Sequence, residues 1–438
     1  MYLSKTVIAG LASLALVSAC AERQLILSGE RLDLRADLRG DATPEPAVLA
    51  APLTLPAPVA HADWTHRAGN AAHALTHPAL ATALTPAWSV PIGQGEDRRH
   101  RISADPVVAD GRIFTVDSRA TVMAHSTTGA PLWSVDLTPP GDNPDDASGA
   151  GLAVSGNRLL VSTGFGDLVA LDVATGARQW TQELDASVAG APSVVDDLAY
   201  VVTRDATGWA VNIETGRVVW TVSGTPSPSG VVGGAAPAVT GAQVILPFAN
   251  GELISVLPAG GTRIWSSFVA GQRPGRVYAR VSDISGDPVI VGDRVFAGGP
   301  SGRTVAVDLA SGQTLWSATE GAMSPVIVAG GAVFAVSDKA ELVRLDAETG
   351  ARVWGTELPF FVKEAARQRK AVVGNYGPVL AGGQLWVGSG DGALRAFAPE
   401  TGALIHSVAL PGGAATNPIV AGRSLYIVST NGQLHAFR

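Results

Sequence analysis

Leu168-Val169-Ala170-Leu171-Asp172-Val173-Ala174-Thr175-Gly176-Ala177-Arg178-Gln179-Trp180 is the stretch from which the fold of this chain is read. A short apolar run leads into Asp172, Thr175-Gly176 supplies a glycine where the chain must reverse with positive φ, and a second run returns to Trp180. The phrase recurs as WAVNIETGRVVW (209–220), TVAVDLASGQTLW (304–316) and ELVRLDAETGARVW (341–354). Weaker copies lie at 122–133, 253–265 and 394–406. A second phrase precedes each copy, as in DPVVADGRIFTVD (105–117), DPVIVGDRVFAGG (287–299), GPVLAGGQLWVGS (377–389) and NPIVAGRSLYIVS (417–429). Asp110-Gly111 and Gly382-Gly383 within it are hairpin dipeptides.

Each unit therefore holds four short strands, with Trp88, Trp133, Trp180, Trp220, Trp265, Trp316 and Trp354 on the fourth and His406 in the eighth place. Spacings of 38 to 52 residues match a propeller blade, not the short coils of a β-helix, and the 3.6 period of a helical solenoid is absent. The last copy stops at Leu434–Arg438, where a third strand belongs, while Thr85–Val90 is a fourth-type strand without a hairpin before it. The fold predicted is all-β: an eight-bladed β-propeller of four-stranded blades, its ring closed by the N-terminal strand, which removes the exposed edges that an open stack of blades would leave. Periodic Trp residues read as blade-docking core.

Composition agrees with this and narrows the function. With 46% hydrophobic and 16% charged residues, 51 Gly and 28 Pro, the 438-residue chain reads as short strands and tight turns. A net charge of −7 argues against a nucleic-acid partner, which needs a clustered basic surface. The one cysteine, Cys20, excludes an internal disulfide. Lys5, the apolar run 7–17 and Leu16-Val17-Ser18-Ala19-Cys20 read as a lipoprotein signal peptide (1–20), with Cys20 the lipidated first residue of the mature chain. The apolar run is too short for a membrane-spanning helix. Ala21 follows Cys20, which favours the periplasmic face of the outer membrane. Residues 21–60, rich in Ala and Pro over 41–60, read as a tether, and 61–438 as the propeller.

The Ala-x-Asp-x-x-Thr-Gly-x-x-x-Trp copies resemble the repeats named for quinoprotein dehydrogenases, over about residues 85–438. A dehydrogenase of that kind implies a vicinal Cys pair, a Ca²⁺ site and a catalytic Asp around a quinone. With Cys20 alone the pair cannot exist, so no catalysis and no cofactor are expected. Lipobox, tether and ring together are similar to the BamB family of outer-membrane assembly lipoproteins. That resemblance implies a partner, the barrel protein BamA, and a role in inserting β-barrels, with nascent barrel proteins as further partners. Two loops carry it locally: Val231-Val232-Gly233-Gly234-Ala235-Ala236-Pro237, and Arg280-Val281-Ser282-Asp283-Ile284 before Asp287-Pro288. The resemblance assigns partner contacts to Val231, Val232, Gly233, Arg280, Ser282 and Asp283. The family's loop Arg is replaced here by Val232 or Gly233, and Arg280 and Asp283 could equally form an inter-blade ion pair.

Long connections at 134–151, 221–236, 266–286 and 355–376 would open on one face of the disc as a docking surface. The basic runs Arg98–Arg101 and Lys363–Lys370 read as solvated loops. His61, His66, His73 and His77 cluster without a ligand pattern, so no metal site is assigned. Two other readings of the chain are a quinone-dependent oxidoreductase and a cell-wall-binding envelope lipoprotein.

Overall fold

The computed structural model describes residues 52–75, 77–231, 233–271, 273, 281–363 and 365–438. Cys20, Val232 and Arg280 lie outside the described residues. Among the described residues, strands β1 (Pro86–Pro91) through β32 (Gln433–Phe437) form eight four-stranded antiparallel sheets. Blade 1 is β2 (Val107–Ala109), β3 (Arg112–Val116), β4 (Thr121–Ser126) and β5 (Pro131–Asp136), hydrogen-bonded in chain order. Blades 2 to 7 repeat that order over 150–183, 193–223, 238–268, 286–318, 327–357 and 375–409.

Blade 8 is composite. β30 (Ile419–Ala421), β31 (Ser424–Ser429) and β32 receive β1 as their outer strand, with Pro86 opposite Phe437 and Pro91 opposite Gln433. Thr85 and Arg438 extend the pairing by exchanging both backbone hydrogen bonds, at 2.8 and 3.0 Å. The ring closes as the two incomplete ends of the repeat require.

Apolar layers between blades form the core. Phe114 and Val116 of blade 1 pack on Leu152 and Leu159 of blade 2, and the same arrangement follows around the ring. Burying each such Val, Leu or Phe stabilises the fold by roughly 1.5–3 kcal/mol. The outer wall is pinned by the repeat itself. In the blade 2 hairpin, Asp172 Oδ1 accepts from the Ala174 and Thr175 amides and the Thr175 hydroxyl, fixing the turn that Gly176 completes at φ +72°. The Trp133 ring from blade 1 lies where a Cβ on Gly176 would stand, 2.7 Å away, and Trp133 Nε1 donates to the Val173 carbonyl at 3.1 Å. Trp180, Trp220, Trp265, Trp316 and Trp354 repeat this on the next blade, with Nε1–O distances of 2.7–3.2 Å.

His406 has a reason to break the series. β32 and β1 come from distant parts of the chain, so blade 8 has no outer hairpin and no hairpin glycine to receive an indole. The imidazole meets Trp386 edge-on, with centroids 5.2 Å apart, at the place where Trp133, Trp220, Trp316 and Trp354 meet Phe114, Tyr200, Phe296 and Phe334.

Contacts with the ring begin before residue 61: Leu53 and Leu55 pack on the blade 6–7 layer, and Val59 bridges Pro78. Residues 52–75 and 77–84 form a strap across the end of the channel where the innermost strands finish. Trp64 exchanges backbone hydrogen bonds with Val108, Thr65 O accepts from Val154, and Ala71 O and Ala72 O accept from Val239 and Ile290. His61 O and Pro78 O accept from Gly422 and Gly382. These seats fall late on the innermost strands or at the turns that follow them.

Candidate docking face

Connections between blades run from an outer strand to the next inner strand and open on the face opposite those turns. They comprise 92–106, 137–149, 184–192, 224–237, 269–285, 319–326, 358–374 and 410–418. The two loops singled out in the sequence meet here. Asp283 Oδ2 accepts from the Val231 amide at 2.7 Å, and Arg204 Nη2 donates to Val231 O at 2.6 Å. Asp283 is buried, and burial pushes its carboxyl pKa up against the pull of the Val231 and Ile284 amides and Arg204. Its carboxylate thus holds one loop against the other, while Val231, Gly233 and Ser282 are half-buried at the surface.

Two depressions flank this junction. One, of about 390 Å³, is apolar and bordered by Val231, Val281, Met323, Phe360, Val372 and Tyr376. The other is the opposite end of the channel, among the interblade loops, about 470 Å³, where Ser103, Asp105, Ser285 and Asn417 surround Arg67. Met323, Val362 and Val372 are exposed on the same face. Such apolar side chains on loops held by a rigid ring are a surface suited to binding.

Three side chains of the basic runs are engaged by neighbouring loop residues. Arg101 pairs with Glu96 at 2.9 Å, His100 Nδ1 lies 2.9 Å from Asp97, and Arg369 stacks over Phe361 at 5.0 Å. The clustered histidines are strap anchors. His66 Nε2 accepts from the Val194 amide at 3.1 Å and His77 Nε2 from the Gly383 amide at 2.8 Å, while His73 Nδ1 meets Pro288 O at 2.8 Å. Burial holds the His66 pKa down at about 3 and that of His73 at about 4, so both rings are neutral. Among the described residues no group of three or more His, Cys, Asp or Glu is arranged to hold a metal ion.

Sequence reading missed Arg67. Its Nε lies 3.2 Å from Asp287 Oδ2 and 3.5 Å from Asp105 Oδ2, and its Nη1 donates to Gly234 O at 2.9 Å. Burial works against the guanidinium charge, but the two carboxylates more than offset it and its pKa is raised. Burial likewise pushes Asp287 up to about 6 despite Arg67 and the Ala236 amide. The available signal was half of the eight histidines falling within 61–77, too dense for a solvated spacer.

A repeat propeller whose candidate site is a face of interlocked loops belongs with binding scaffolds. The profile of the outer membrane protein assembly factor BamB family matches residues 118–356 and 363–438, and the chain belongs to that family. The assembly factor BamB of Moranella endobia is 25% identical over 356 residues, covering 80% of this chain and 89% of the relative. The crystal structure of BamB from Moraxella catarrhalis superposes with a TM-score of 0.67 at 21% identity, covering 81% of this chain and all of that one. A europium-containing methanol dehydrogenase shares the fold at TM-score 0.64 and 15% identity, over 86% of this chain and 98% of its own. Membership places the chain with assembly factors and not with the dehydrogenases whose fold it shares.

Proposed function

We propose that this chain is a lipoprotein scaffold of the outer-membrane β-barrel assembly machinery, held by acyl chains on Cys20 at the periplasmic face of the outer membrane. Its loop face docks on the BamA-type barrel protein, with Val231, Val232, Gly233, Arg280, Ser282 and Asp283 at or behind the contact. Family membership carries the role. The Asp283–Val231 hydrogen bond, which makes one surface of the two loops, supports the address. Exposed outer strands offer nascent barrel strands an edge for β-augmentation.

Full-length tagged protein purified from membranes should bring down a large outer-membrane barrel with periplasmic domains. Arg280→Ala should weaken that recovery by about tenfold, as an interface anchor does, without moving the melting temperature. Cys20→Ser should release the protein from the membrane fraction. Recovery of cell-wall material alone would overturn the assembly role.

A further inference from the structure

We propose that Arg67, carried by the N-terminal strap, is a positioning residue that sets the 231–237 loop in its docking shape. The strap is then a working part of the docking face and not a spacer. The inference rests on the docking reading above and deepens it.

The geometry is a reach through the channel. Residues 64–66 are seated late on the inner strands of blades 1, 2 and 3, and Ala71 and Ala72 on those of blades 4 and 5. Between them a tight turn closes through the Gly69 amide on His66 O at 2.9 Å. From that turn the Arg67 side chain extends to groups that begin the inner strands: Asp105 before blade 1, Asp287 opening blade 5, and the carbonyls of Gly233 and Gly234 ahead of blade 4. Two anchors therefore reach the loop from one guanidinium. The carbonyls are held directly, at 3.3 and 2.9 Å. The Ala236 amide is held through Asp287, whose Oδ1 accepts it at 2.9 Å. Gly233 adopts φ +71°, which glycine reaches about as readily as negative φ, so the backbone there does not select one shape by itself. Small residues such as Gly234, Ala235 and Ala236 bring little packing of their own, so hydrogen bonds must supply the shape.

A guanidinium suits this task because Nη1 serves both carbonyls while Nε lies at ion-pair distance from both carboxylates, and the one ammonium of lysine cannot occupy both places. Removing the guanidinium alone also strands two buried carboxylates, which by itself destabilises the fold. The test therefore uses two variants: Arg67→Met, and Arg67→Met combined with Asp105→Asn and Asp287→Asn. The second removes the whole charge set and should recover most of the melting temperature lost by the first.

Hydrogen exchange in a peptide spanning 230–237 is the primary readout, and affinity for the barrel recovered above is the second. Both variants should exchange about tenfold faster there, as a locally loosened segment does, and bind the barrel about tenfold more weakly. If the triple variant returns to wild-type exchange, Arg67 merely compensates charge and the proposal is overturned. If exchange rises in both variants but affinity does not change, the positioning role stands and the docking reading of this loop fails instead.

Discussion

Along the outer wall the same contact repeats, an indole over a hairpin glycine with Nε1 on a carbonyl, whereas the strap across the channel adds to its backbone hydrogen bonds a set of buried side-chain seats that differ from one another. The wall spreads its stability over equivalent junctions, each apolar and each local to two blades. The strap concentrates its attachment in buried polar groups: a neutral His66 on Val194, a neutral His73 on Pro288, and Arg67 between two aspartates. Interactions of the first kind depend little on pH. Those of the second kind depend on every group keeping its protonation state.

Acid should therefore separate the two regions, and this is the largest effect expected. The His66 and His73 pKa values lie at about 3 and about 4 in the folded protein, below the ordinary 6.5 of the unfolded chain. As pH falls below 6.5 the unfolded state takes up protons that the folded state refuses, so stability complete above pH 6.5 is lost toward pH 4. Two rings displaced by more than two units make this loss on the order of 5 kcal/mol at pH 4. Asp287 acts in the opposite sense, since its folded pKa of about 6 exceeds the unfolded value and acid favours the fold through it. Comparing wild type with His66→Gln/His73→Asn cancels that contribution, because Asp287 is present in both. Thermal unfolding from pH 7.5 to 4 should show a much smaller fall for the double variant, and equal slopes would mean the histidines are not buried as described.

The same contrast explains what could be read from the sequence. Blade number, strand order and closure by Thr85–Val90 were legible because each rests on a periodic phrase, and even His406 marks the junction where the receiving hairpin is missing. The strap was not legible. Its hydrogen bonds come mostly from backbone amides of many different blades, which leave no mark on the residues that donate them, and Pro- and Ala-rich sequence reads as linker whether or not a channel receives it. Asp283 was ambiguous for a related reason, since a buried carboxylate on a backbone amide and an exposed partner contact use the same residue type.

Within the wall, two glycines of nearly equal φ separate strain from crowding. Gly350 and Gly111 have φ +73° and +72°. A Cβ on Gly350 would stand 2.4 Å from the Trp316 ring, while nothing lies within 4 Å of one on Gly111. Gly111→Ala should cost about 1 kcal/mol, the price of a positive φ alone. Gly350→Ala should cost about 3 kcal/mol, because displacing a docked indole adds an overpacking penalty. Denaturant midpoints measured at constant slope would read both, and equal losses would remove the docking role of the indole.

Indole hydrogen bonds give the smallest effects and test whether the closing junction differs from the rest. Trp316 Nε1 donates to Ala347 O at 2.9 Å. Trp88, on the closing strand β1, lies over Gly129 in the same way, but its buried Nε1 has no hydrogen-bond partner among the described residues. Phenylalanine keeps most of the apolar ring in each place and removes the N–H. At Trp316 that removes one of two donors to the Ala347 carbonyl, Arg294 Nη1 at 3.0 Å being the other, and should cost about 1 kcal/mol beyond the lost area. At Trp88 no bond is broken and a buried unsatisfied donor is removed, so Trp88→Phe should cost less than Trp316→Phe by about that amount. Closure then depends on the β1–β32 ladder and on apolar packing, and not on the hydrogen bond that pins six other junctions. Equal losses at the two sites would show that the N–H adds nothing anywhere on the wall, and that shape alone docks one blade on the next.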